Sequence, residues 1–162
     1  MKQAAFVLAA GILAAAGLSA AQSESMQSRT LFTPQEIKWG PGPASLPAGA
    51  EIAVLYGDPG KEGLFAMRAK LPKDYRVPPH SHGKPEVVTV LSGMARLGMG
   101  QTLDASQAQA LPPGSFFVTP PGMAHYFMTD EETVIQINSE GPWSITYVNP
   151  ADDPRKASVG QR

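Results

Sequence analysis

From about residue 50 to residue 148 the apolar residues fall in short runs separated by glycine and proline. Glu51–Tyr56, Gly63–Lys70, Glu86–Leu91, Ser115–Thr119, His125–Met128, Thr133–Asn138 and Ser144–Val148 are mostly rich in β-branched or aromatic residues. Most have Gly, Pro, Asp or Asn close by at one end or both, which predicts strands joined by tight turns. The one helical turn predicted is Asp104–Gln109, with Asp104 as its N-cap. Many short strands at near-even spacing predict an all-β single domain, either a closed barrel or a jelly roll.

Composition sharpens this picture. Gly and Pro number 16 each, and Pro is about twice its usual share, which leaves little room for long helices. Lys plus Arg number 13 against 14 Asp plus Glu, a formal charge of −1. That balance offers no electrostatic footprint for nucleic acid, so none is expected as a partner. The chain has no cysteine, which excludes a disulfide framework, a thiolate metal site and a cysteine nucleophile.

The two ends depart from the strand pattern. Met1 and Lys2 give a short positive start, and Ala4–Ala16 is apolar except for Gly11. Ser19-Ala20-Ala21 then places small side chains where an export signal is cut. Residues 1–21 are therefore expected to be a signal peptide cleaved near Ala21. The mature protein would be periplasmic or secreted, with no membrane association once the signal is removed. Residues 22–30 are polar and read as a linker, 31–150 as the domain, and 151–162 as a flexible tail.

The chain has three histidines, His80, His82 and His125. In a strand, side chains two apart leave the same face, with their Cα atoms about 6.6 Å apart, so His80 and His82 can converge on one ion. Glu86 falls on that face if the bend at Gly83-Lys84-Pro85 keeps parity, and it would add a hard oxygen ligand. His125 opens a later strand and could bring a third nitrogen. Spacing alone leaves a second reading open, in which these are surface or structural histidines.

The wider pattern is His80-x-His82-x3-Glu86-x6-Gly93, followed by Gly114-x5-Pro120-x-Gly122-x2-His125. It resembles the two signature motifs of the cupin family, in order and with a plausible gap. The ending Gly141–Pro154 resembles a group of exported single-domain cupins. Two positions depart from the motifs: Asp74 stands where Gly is usual, and Thr129 where Asn is usual. The resemblance implies a double-stranded β-helix, the jelly-roll or cupin barrel. It also implies that His80, His82, Glu86 and His125 hold one divalent transition metal, leaving two positions open on an octahedral ion. Fe, Mn, Ni, Zn and Cu all suit such ligands.

Around that site, Phe127 and Thr129 share the face of His125 by alternation and are expected to line the pocket. Gln136 would line it too if Ile135 and Ile137 pack outside the barrel, and would otherwise lie on the surface. Tyr56, Tyr126, Tyr147, Trp143 and the methionines near the motifs read as packing. There is no nucleophile elbow, phosphate loop or helical metalloprotease motif. The expected function is a metal-dependent enzyme on a small-molecule substrate, with dioxygenase chemistry first and isomerase or lyase chemistry second. The alternative is a non-catalytic module that binds or senses a metal or small ligand. A homodimer is conceivable if residues before Glu51 add a strand to a neighbouring barrel.

Overall fold

The computed structural model describes residues 31–157, so the expected signal and linker lie outside the described residues. The strands are β1 (Gly40–Pro41), β2 (Glu51–Tyr56), β3 (Gly63–Leu71), β4 (Arg76–His82), β5 (Glu86–Ser92) and β6 (Ala95–Met99). They continue with β7 (Gln109–Leu111), β8 (Phe116–Thr119), β9 (His125–Thr129), β10 (Thr133–Gly141) and β11 (Ile145–Tyr147). They form a six-stranded sheet in the order β1-β2-β3-β10-β5-β8 and a five-stranded sheet in the order β11-β4-β9-β6-β7. Strand pairing is antiparallel throughout. This is the expected jelly roll.

Alternation decides which faces meet. Phe65, Met67, Ala69 and Leu71 of β3 are buried, as are Val88 and Val90 of β5 and Ile135 and Ile137 of β10. From the other sheet Val77, Ala95, Phe127, Ile145 and Tyr147 join the same cluster. Burying these apolar faces against each other is the main stabilising term, at roughly 25 cal/mol per Å². A smaller cluster of Ala108, Tyr126 and Met128 lies on the opposite face of β9, so that strand is buried on both sides.

Four strands have no counterpart in the sequence reading: β1, β4, β6 and β7. β1 and β7 are very short. β4 reads Arg-Val-Pro-Pro-His-Ser-His, and its two prolines demote it by composition. The expected helical turn at Asp104–Gln109 is a single turn, closed by the Gln107 amide donating to Asp104 O, that leads into β7. The Asp104 carboxylate accepts hydrogen bonds from the Ser106 amide (2.9 Å) and hydroxyl (2.6 Å). Such a side-chain turn competes with helix propagation. The described part of the tail forms a 3-10 turn (Pro150–Asp152) and a short helix, α1 (Pro154–Ala157). The Arg155 guanidinium pairs with Asp153 and donates to the carbonyl of Ile145.

Gly98 of β6 lies against the ring of the buried Tyr126, and a Cβ there would overlap that ring. Gly98→Ala is therefore expected to lower stability by about 1–3 kcal/mol through overpacking. Gly83 has no heavy atom within 4 Å of its Cβ direction, so Gly83→Ala should stay within about 0.5 kcal/mol. Urea unfolding midpoints at unchanged slope check the contrast.

Candidate metal centre

The site begins with an irregularity in β4. Val77 pairs with Phe127, but the next register partner of β9, His125, faces His80, so β4 carries an extra residue at Pro78-Pro79. A bulge of this kind shifts parity and re-aims side chains. Val77 and His80 consequently both point inward. Regular alternation then carries His82 to the same side, and the bend at Gly83–Pro85 returns Glu86 inward at the start of β5. The β8–β9 turn, with Gly122 at φ +75°, delivers His125. His80, His82, His125 and Glu86 are all buried.

One ligating nitrogen from each of the three histidines lies within 4.8 Å of the others. Glu86 Oε2 is 3.6 Å from Nε2 of both His82 and His125. The three histidines belong to the five-stranded sheet and Glu86 to the six-stranded one, so the cluster bridges the two layers.

Each ring is oriented by a main-chain carbonyl. His80 Nδ1 lies 2.7 Å from Pro78 O, His125 Nδ1 lies 3.0 Å from Met123 O, and His82 Nδ1 lies 2.9 Å from Ser144 O. A carbonyl only accepts, so Nδ1 is the protonated nitrogen and Nε2 of a neutral ring carries the lone pair. This is how metal-binding histidines are set up. His82 Nε2 is buried and has no hydrogen-bond partner. Burial, and next the neighbouring His125, push His80 down to about 3. Burial likewise lowers His82. For Glu86, burial works against ionisation, but the interactions with His125, His82 and His80 outweigh it and hold the carboxyl below its ordinary range. The result is a buried carboxyl group 3.6 Å from Nε2 of both His82 and His125, a nitrogen and oxygen donor set that a cation completes. The residues present fit a divalent metal.

The cluster lines an apolar cavity of about 50 Å³, whose other walls include Val88, Phe117, Phe127, Ile135, Ile137 and Trp143. Phe127 is where the sequence placed it. Thr129 is not a lining residue. Its hydroxyl donates to Pro72 O (2.6 Å) and accepts from the Tyr75 amide (3.0 Å). The Asp74 amide donates to Thr129 O, and Asp74 itself is at φ +60°. The two departures from the cupin motifs thus meet in space and fasten one turn. Gln136 faces away from the cavity and accepts from Arg68 Nε at 3.2 Å. Ile135 and Ile137 line the cavity instead, because apolar burial takes the inward face of β10.

The tyrosines are spent on structure. Tyr126 donates to Asp104 O and Tyr147 to Ser45 O, and Tyr56 is exposed. Burial pushes the Tyr147 hydroxyl up to about 12. Trp143 packs as expected, but it also stacks on the His82 ring, with centroids 4.6 Å apart and planes 15° apart. That contact was not anticipated. The orienting carbonyls also escape a side-chain pattern, although two of them lie two residues before their histidine.

A family model described as "Domain of unknown function (DUF4437)" matches residues 25–146. Over 92 residues the chain is 34% identical to germin-like protein subfamily 3 member 1 of Arabidopsis thaliana; the match covers 52% of this chain and 44% of that protein. It therefore spans less than half of that relative's length. The polyketide cyclase RemF from Streptomyces resistomycificus superposes with a TM-score of 0.60 at 18% identity, covering 80% of this chain and 92% of its own. An RmlC-like cupin from Shewanella frigidimarina superposes with a TM-score of 0.54 at 14% identity, covering 70% and 91%. These structural likenesses establish the cupin fold.

The electrostatics generate a pH prediction for the metal-free protein. His80 is pushed down to about 3 from 6.5, so between those values the unfolded chain binds a proton that the folded one does not. Stability from this group is full above about 6.5 and is lost as pH falls towards about 3. The lowered values of His82 and Glu86 act in the same direction. The melting temperature should fall steadily between about pH 7 and pH 5, and His80→Phe should flatten the fall. A melting temperature unchanged across that range contradicts the assignment.

Proposed function

Since this chain belongs to the family described as "Domain of unknown function (DUF4437)" and has the cupin fold, we propose that His80, His82, His125 and Glu86 hold one divalent transition-metal ion. We further propose that the protein is an enzyme acting on a small molecule, with oxygenase-type chemistry the first class to screen. The observation that carries the reading is the convergence of three Nδ1-tethered imidazoles and one carboxylate. Export through residues 1–21 belongs to the same proposal, supported by the Lys2, Ala4–Ala16 and Ser19–Ala21 pattern.

A bound ion of this class supplies a Lewis acid that can hold and polarise oxygen donors of a small molecule. The protein's own contribution is positional. The carbonyls of Pro78, Met123 and Ser144 keep Nε2 of each ring turned towards the cluster. Glu86 supplies the negative charge, and the apolar walls exclude water and strengthen every charge interaction inside. Beyond the cluster, no titratable side chain lines the cavity among the described residues.

A second reading, a non-catalytic binding module, draws support from that same lack of a spare acid or base. Exchangeable coordination separates the two. Spectral change on adding catechol or acetylacetone to the metal-loaded protein, followed by turnover, favours the enzyme. Silence across a broad panel, with tight metal retention, favours the module.

The metal reading is tested by elemental analysis of exported protein, which should contain about one equivalent of a transition metal. His82→Ala should weaken affinity by more than about a hundredfold while the β-rich circular dichroism persists. Binding of a full equivalent at unchanged affinity contradicts the ligand set. Glu86→Gln removes the charged ligand and should weaken metal binding by about tenfold or more, read by titration calorimetry.

A further inference from the structure

The cavity around the histidines has a neighbour. A basin of about 480 Å³ lies against it, and Leu46, Ile52, Met67, Trp143 and Ile145 line both spaces. The inner cavity, about 50 Å³, has room for an ion and roughly two or three water-sized groups. A whole organic molecule does not fit there. The basin, by contrast, is of the size that holds small ligands.

Trp143 is the one aromatic residue among those shared by the two. Its indole stacks on His82 and meets Phe65 edge-on at 6.1 Å. Its main-chain N–H is anchored to Pro59 O, and the following carbonyl, Ser144 O, holds His82 Nδ1. The backbone is thus fixed while the ring forms the wall. Trp143 Nε1 is buried without a hydrogen-bond partner among the described residues, a desolvation cost that a hydrogen bond to a ligand would offset.

We propose that Trp143 is the specificity-determining gate of this site, and that the basin binds the apolar body of the ligand while a compact oxygen-bearing head passes the indole to reach the histidines. The role of that head rests on the metal reading above; the gate itself does not. The ligand class is an uncharged, mainly apolar small molecule. Pro41, Ile52, Val54 and Met67 give the basin apolar walls. Arg155, the one cation among its lining residues, is matched by Asp153 at 2.7 and 2.8 Å, so the basin has no net positive handle for an anion.

Carbethoxylation of metal-free protein by diethyl pyrocarbonate tests the gate, because the chain's three histidines all sit in the cluster and the ultraviolet signal reports only access to it. Trp143→Ala should accelerate modification by about tenfold or more, since a buried aromatic no longer has to move. Trp143→Phe should restore slow reaction. Trp143→Leu, which also leaves the passage open, should react as fast as the alanine variant and replaces it if that variant does not fold. Phe117→Ala enlarges the inner cavity from another wall and should leave the reaction slow. Wild-type modification as fast as in Trp143→Ala, or equal acceleration by Phe117→Ala, overturns the gate. Benzyl alcohol should slow the wild-type reaction and benzoate should not; equal protection by both, or by neither, overturns the ligand class. Metal titration of the same variants reports separately on the cluster, so loss of the metal reading leaves these rates as a valid test.

Discussion

Three hydrogen bonds, each from a buried imidazole Nδ1 to a main-chain carbonyl, govern the chemistry of this barrel. They spend the donor side of His80, His82 and His125 on Pro78, Ser144 and Met123, and turn the acceptor side inward. A free imidazole in water exchanges tautomers and rotates, whereas these rings are fixed by backbone that is itself fixed by strand pairing. The Pro78-Pro79 bulge, the turn before His125 and the Gly141–Ser144 segment all matter because they place those carbonyls. Fold and site are therefore one problem here.

The second constraint is the carboxylate. Glu86 comes from the opposite sheet and is buried among imidazole rings and aliphatic walls. Its interactions with His125, His82 and His80 outweigh the cost of burial, so the cluster holds a negative charge in place. Bringing a cation to the cluster would tie β4 and β9 to β5 and add cohesion between the two layers. Apolar residues everywhere else along the cavity raise the strength of that interaction by keeping water away.

Much of this was legible in the sequence. Seven strands and the shared face of His80 and His82 follow from period-two alternation, and the positive φ of Gly93, Gly114 and Gly122 explains why glycine stands at those motif positions. What escaped did so for physical reasons. β4 was hidden because its prolines erase the strand composition signal, although they also create the bulge that aims His80. Gln136 was ambiguous because Val134, Gln136 and Asn138 alternate as regularly as Ile135 and Ile137; only the packed core decides which set faces in. Thr129 shares the parity of His125, yet its hydroxyl is captured by the Pro72–Tyr75 turn. Carbonyl partners and the Trp143–His82 stack are tertiary contacts that no local pattern encodes.

Cupin barrels host many activities, so the fold leaves the reaction open, and the central claim is the occupant of the histidine cluster. X-ray absorption at the metal edge of the loaded protein tests it most directly. The predicted result is about three imidazole nitrogens and two or three oxygens at roughly 2.0–2.2 Å, with the multiple-scattering signature of histidine rings. A shell of oxygens alone, without imidazole scattering, would contradict the assignment and leave the barrel with three oriented histidines and no metal centre.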